Sequence, residues 1–255
     1  MVARLITIWN SHYCDKARWA LDRLGVPYVE EAHAPLFHVV PVKLSGGQRS
    51  TPVLVIDGQV LPDSTDILRW LDAHADRPGT LLGSTPEEAR EVLDLEDRFD
   101  EDLGPHTRRF MYYLVLPRKA LAIRALEGHV PWHELTLAKA FYPAARAIMA
   151  RGMRIDRAGY ERSAARIDQV FETVSKRLED GRRYLVGDGF TAADLTFAAL
   201  AAPVVLPPEY PARLPSLEEL PDEARARVER WQASRAGQFA RRIYREERGV
   251  RGKRP

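Results

Sequence analysis

Hydrophobic and polar positions alternate between two periods over the first eighty residues, a mixture of strand and helix signals that predicts an α/β unit. Residues 4 to 10, RLITIWN, are rich in β-branched and aromatic side chains and predict a first strand. Ala17, Ala20, Leu21 and Leu24 then fall at helical spacing within residues 12 to 25, and Gly25, Val26 and Pro27 supply a stop. A second short strand is expected from Tyr28 to Ala32. The stretch from Pro35 to Ser50 is weakly periodic, with room for a short helix. In PVLVIDGQVLP two apolar runs flank Asp57 and Gly58, a pair that tolerates positive φ, so a tight hairpin is predicted. Asp63 or Ser64 caps the next helix, whose apolar face is Ile67, Trp70, Leu71 and Ala75.

The pattern changes after Arg77, Pro78 and Gly79, because from Thr85 onward no strand period appears. Helices are expected near 86–117, 133–152, 157–180, 191–203 and 219–247, the last broken around Ser234 to Gly237. The Pro-rich piece from Pro203 to Pro215 is expected to leave the helix as a surface excursion. The division is therefore residues 1–78 as an α/β domain, 79–85 as a linker and 86–255 as an all-helical domain.

Composition narrows the functional classes. With 38 Lys and Arg against 36 Asp and Glu, the chain of 255 residues carries a net +2, which argues against a general nucleic-acid binder. The surplus is local: residues 235–255 hold eight Arg or Lys and two Glu, leaving the rest slightly acidic. In that tail Arg241, Arg242, Arg245 and Arg248 interleave with Ile243 and Tyr244. It reads as a solvated helix end, against the alternative of a nucleic-acid contact. The one cysteine, Cys14, forms no intramolecular disulfide and supplies no zinc cluster, so a cytoplasmic protein without a metal is expected. No signal peptide or membrane span is apparent.

Four short motifs carry the candidate chemistry: Ser11-His12-Tyr13-Cys14 between the first strand and helix, Thr51-Pro52-Val53 at the start of the hairpin, Asp63-Ser64 at a helix start, and Thr191-Ala192-Ala193-Asp194 after Val186-Gly187-Asp188. Together with the element order they make the chain resemble the cytosolic glutathione transferases, with a thioredoxin-like N-terminal domain and an all-α C-terminal domain. The first motif then matches a thioredoxin-like C-x-x-C site with serine in its first position. The resemblance implies glutathione as cosubstrate, a homodimer, and a detoxification enzyme that adds the thiol to a small electrophile by conjugation, dehalogenation or isomerisation. The alternative is a non-catalytic binding module of the same fold.

The resemblance assigns roles. Ser11 is the catalytic residue, donating a hydrogen bond to the glutathione sulfur at a helix N-terminus that favours an anion. Its plain alternative is an N-cap. Cys14, one turn inward, reads as a packed residue rather than a nucleophile. Thr51, a cis Pro52 and Val53 would pair with the cysteinyl part of the tripeptide. Asp63 and Ser64 would hold the γ-glutamyl end, or else serve as a double cap. Lys43, Gln48 or Arg49 would meet the glycyl carboxylate, although the loop 36–50 lacks the family's usual Asn-Pro-x-Gly-Lys run. His12, His106, Phe110 and Tyr113, with Arg109 and Tyr112 nearby, would wall the electrophile pocket, the alternative being a core stripe. Thr191 and Asp194 form a structural capping pair.

Overall fold

The computed structural model describes residues 2–77 and 79–250. A four-stranded sheet of order β2-β1-β3-β4 opens the chain. β1 (Ala3–Ile8) and β2 (Tyr28–His33) run parallel, joined by α1 (His12–Arg23). After the short α2 (Val39–Leu44), β3 (Val53–Ile56) returns antiparallel to β1, with Ile6 opposite Val53 and Arg4 opposite Val55. Asp57 and Gly58, at φ 49° and 78°, turn the chain into β4 (Gln59–Leu61), because a tight hairpin matches the strand twist only with positive φ at both turn positions. α3 (Ser64–Ala73) starts at Asp63, whose carboxylate accepts from the Thr65 amide at 2.8 Å. Its apolar face, Ile67, Leu68 and Leu71, is buried in the core together with Ala17, Ala20 and Leu21 of α1. This is the α/β domain expected of a thioredoxin-like fold.

The rest of the described chain is helical. The Asp72 carboxylate ties the connecting segment to α3 by accepting from the amides of Gly79, Leu81 and Leu82. The helix expected over 86–117 is two helices, α4 (Pro86–Asp102) and α5 (Gly104–Val115), because Pro105 brings no N–H to continue the first. The same reason splits 133–152 into α7 (Trp132–Ala140) and α8 (Tyr142–Gly152) ahead of Pro143, and a short α6 (Lys119–Arg124) precedes them. α9 (Arg157–Arg177) and α10 (Ala192–Val205) follow. α10 runs past Pro203, contrary to expectation. It ends at Leu206 in the left-handed region, so the proline removes one backbone bond only three residues before the helix stops. All fourteen residues of α10 are buried, which makes it the axis of the second domain. α11 (Asp222–Ala233) and α12 (Arg235–Glu247) break at Ser234, whose hydroxyl caps α12 at Gly237.

α1 is the seam between the two halves. The Lys16 ammonium, fully buried, is paired to Glu96 and to Asp100, the latter at 2.9 Å. An unpaired charge there would cost several kcal/mol, so the pairing holds α1 against α4. The basic tail is solvated at Arg241 and Arg245, as expected, but not at Arg248, which pairs with Asp15 at 2.9 Å and Asp22 at 3.0 Å, and the buried Tyr244 hydroxyl donates to Asp15 at 2.7 Å. Residues 251–255 of the predicted tail lie outside the described residues, and no described helix is long and apolar enough to cross a membrane.

Candidate functional site at the head of α1

β1 ends at Ile8, and the chain turns over the carboxyl end of the sheet into α1 through Trp9, Asn10 and Ser11. Ser11 occupies the N-cap position in extended conformation (φ −82°, ψ 126°), yet its hydroxyl makes no capping bond. The α1 N-terminus therefore presents unpaired backbone N–H groups beside the Ser11 hydroxyl, which lies against the Cys14 thiol rather than capping the helix, a combination that favours an anion. Cys14, one turn further in, is 0% exposed. Burial pushes its thiol pKa up, against Arg18 and the Thr51 and Ser11 hydroxyls beside it. A thiol held protonated is a poor nucleophile.

A cavity of about 590 Å³ opens at this point between the two domains. Ser11, Thr51 and Arg49 form part of its N-terminal-domain wall, with Leu36 at its rim at φ 76°. The opposite wall comes from α5 (Arg108, Met111, Tyr112, Val115), α6 (Leu121) and α8 (Met149), and Tyr210 and Leu214 line a further part. α7 is fastened across to the first domain by Glu134, which accepts from the Ala34 amide at 2.8 Å and meets His33 Nδ1 at 2.7 Å.

The residues singled out from sequence distribute as follows. Thr51–Pro52 is a cis peptide bond, and Val53 pairs with Ile6 on one side. The β3–β4 ladder begins at Leu54 opposite Leu61, so among the described residues the other edge of Val53 has no strand partner. Asp63 is exposed at the α3 cap and Ser64 is buried beside it. Asp63 also reaches the head of α1 electrostatically: the Tyr13 phenol is raised by burial and further by the charges of Asp100, Asp63 and Glu96. Lys43 and Gln48 are exposed and off the cavity wall, whereas Arg49 lines it. His12 reaches the cavity but is spoken for: its Nε2 donates to the Gly104 carbonyl at 2.9 Å, and burial, then Arg108, push its pKa down to about 3.

On α5 the expected pocket wall is corrected. Phe110 is 0% exposed, stacks on Tyr160 and meets Trp231 edge-on in the core, Tyr113 packs on Tyr160, and His106 Nδ1 faces Ser163 Oγ at 3.3 Å. Arg109 is occupied as well, donating to the Met153 carbonyl and Ser163. The cause is helical phase. Residues two apart lie about 200° round the axis, so a helix that buries Phe110 must turn Arg108 and Tyr112 the other way. Arg108, Tyr112 and Val115 recur at i, i+4 and i+7, and that spacing was the signal for the cavity face. Thr191 and Asp194 are remote from the cavity. The Asp194 carboxylate accepts from the amides of Thr191 (2.8 Å) and Leu185 (2.7 Å) and from the Thr191 hydroxyl (3.0 Å), and burial raises its pKa to about 6.

Comparison with known proteins bears on the whole chain. The family model described as Glutathione S-transferase, N-terminal domain matches residues 5–79, and that described as Glutathione S-transferase, C-terminal domain matches residues 157–231. A search of curated proteins finds no match. Among solved structures the chain is similar to a possible glutathione S-transferase from Rhodopseudomonas palustris, at 15% identity and TM-score 0.59, covering 98% of this chain and 96% of that one. It is similar also to the β-etherase LigF from Sphingobium sp. strain SYK-6, at 20% identity and TM-score 0.57, covering 94% and 98%. Glutathione transferase F2 from Populus trichocarpa compares at 16% identity and TM-score 0.57, covering 95% and 99%. At such identities the structures speak for the fold. The two domain models, matching in chain order over more than half of the sequence, speak for descent: the chain belongs to the glutathione S-transferase family.

Proposed function

We propose that the protein is a glutathione-dependent transferase in which Ser11 activates the thiol of glutathione for attack on a small electrophile held in the interdomain cavity. The observation that carries this reading is the Ser11 hydroxyl at the N-terminus of α1, not used as a helix cap and on the wall of that cavity. A hydroxyl and helix N–H groups aimed at sulfur lower the thiol pKa from about 8.5 towards neutrality, so the proton passes to water and a thiolate remains. The sulfur electron pair then forms the bond to the electrophilic carbon, and the displaced pair leaves with a departing group or is protonated by water after an addition. The cavity contributes proximity by holding both reactants.

In this reading glutathione lies extended along the free edge of Val53, its γ-glutamyl ammonium on Asp63 and the adjacent carboxylate on Ser64 and the α3 N-terminus. Arg49 then takes the glycyl carboxylate in preference to Lys43 and Gln48, since it alone of the three faces the cavity. A homodimer working in the cytoplasm completes the proposal. The test is thiol-transfer turnover with glutathione and chlorodinitrobenzene, alongside retention on immobilised glutathione. Turnover that depends on Ser11 supports the enzyme; retention without turnover makes the protein a binding module, and neither result removes glutathione from the account.

A further inference from the structure

The charges on the cavity wall are of one sign. Arg49, Arg108, Arg124 and Arg213 line it, and among the described residues no Asp or Glu does. Arg124 is neutralised outside the cavity, since its guanidinium grips the Glu219 carboxylate at 2.7 and 2.6 Å. Arg49 is committed to the thiol in the reading above. Arg213 is exposed at the rim. Arg108 differs from all three: it is half-buried on α5 and has no hydrogen bond or ion pair among the described residues. Its guanidinium carbon stands 5.9 Å from the Tyr13 ring.

A half-buried arginine without a counter-ion gives up hydration and receives little in return, so it is best satisfied by an anion arriving from the cavity. Around it Met111, Tyr112, Val115, Leu121 and Met149 form an apolar wall, which suits a hydrophobic body rather than a small inorganic ion. The planar fork of a guanidinium matches a carboxylate in two parallel hydrogen bonds. His12 on α1 stays neutral and has its Nε2 turned to Gly104, so it does not compete for that anion.

We propose that the electrophile accepted by this cavity is an apolar carboxylic acid whose carboxylate is received by Arg108, with Arg213 steering it in from the rim. This deepens the functional reading above and rests on it for the word electrophile, but not for the binding of the acid.

The experiment separates the two. Turnover with glutathione is measured for a chlorodinitrobenzoate and for its methyl ester, each corrected for its uncatalysed rate, in the parent, Arg108→Gln and Arg108→Lys. Binding of unreactive dinitrobenzoate and of its amide is measured by calorimetry on the same proteins. The parent should prefer the acid by roughly tenfold to a hundredfold in kcat/KM, the worth of one charge-assisted contact. Arg108→Gln should erase that preference and Arg108→Lys restore part of it. Equal treatment of acid and ester by the parent overturns the inference while leaving the transferase reading intact. If neither compound turns over yet dinitrobenzoate binds through Arg108 and its amide does not, the acid site stands and the transferase reading falls. Dinitrobenzoate binding unchanged in Arg108→Gln overturns the assignment of that residue.

Discussion

The Tyr13 hydroxyl occupies the space in which a Cβ on residue 104 would stand, and from there it donates to the Asp100 carbonyl at 2.8 Å. Gly104 is therefore the point at which α1 of the first domain locks under the α4–α5 corner of the second. The neighbouring His12–Gly104 hydrogen bond lies in the same joint. Any side chain at 104 forces Tyr13 out, so Gly104→Ala should cost about 1 to 3 kcal/mol, the usual penalty of overpacking a filled site. Denaturant unfolding checks this. A variant as stable as the parent would show that the joint yields freely.

Removing the Ser11 hydroxyl should hurt chemistry and spare the fold. Because that hydroxyl makes no capping bond, Ser11→Ala is expected to leave the melting temperature nearly unchanged. Thiol-transfer turnover should fall about 10 to 1000-fold, the range for one donor aimed at a developing anion. Cys14→Ser should retain most activity, its thiol being buried and held protonated. Steady-state kinetics showing the opposite ranking would exchange the roles of the two residues.

Asp63 and Ser64 are expected to serve the thiol and not the electrophile. Asp63→Asn keeps an oxygen for the Thr65 amide, so its effect on folding should be small. Each of Asp63→Asn and Ser64→Ala should weaken glutathione binding about tenfold, corresponding to one lost charge-assisted bond. Calorimetric titration decides; parent-like affinity in both variants would free these residues from the thiol site.

His12 makes the fold sensitive to acid. Its folded pKa, near 3, lies below the ordinary 6.5, so the unfolded chain binds the extra proton between those values. Stability supported by neutral His12 is fully present above pH 6.5 and is lost as pH falls towards 3, with a slope approaching about 1.4 kcal/mol per pH unit. Asp194 works in the opposite sense: its pKa is raised from 3.8 to about 6, so its contribution weakens as pH climbs through that interval. His12→Gln keeps a donor for Gly104 without a titrating ring, and should flatten the acid limb of the stability profile. An unaltered profile in that variant would assign acid sensitivity elsewhere.

Asp194→Asn should destabilise more than an ordinary capping change. The carboxylate satisfies two buried amides and a hydroxyl, whereas an amide must set its NH2 against one of them. A loss of about 1 to 3 kcal/mol is expected, the cost of one buried donor left unpaired. Activity per folded molecule should be unaffected, since Asp194 lies away from the cavity wall.

What the sequence determined by itself is local. Strand and helix periods, the Asp57-Gly58 turn, the caps at Asp63 and Thr191 and the serine before α1 all depend on residues within one turn or one hairpin of each other, and short-range chemistry suffices to read them. Proline alone did not settle the helix breaks: Pro105 and Pro143 open new helices inside stretches read as continuous, whereas α10 runs on through Pro203, where the helix was expected to stop. Which side of α5 faces the cavity was another matter. His106, Phe110 and Tyr113 and their neighbours Arg108, Tyr112 and Val115 are equally plausible walls until Tyr160 and Trp231 arrive from α9 and α11 to bury Phe110 and fix the phase. The Lys16 ion pairs with Glu96 and Asp100, and the Arg248 clasp on Asp15 and Asp22, likewise join residues far apart in sequence. Only the packed tertiary structure removes water from those charges, and that desolvation is what turns ordinary acidic and basic positions into an interdomain joint, while Arg108 is left in the cavity with no hydrogen bond or ion pair among the described residues.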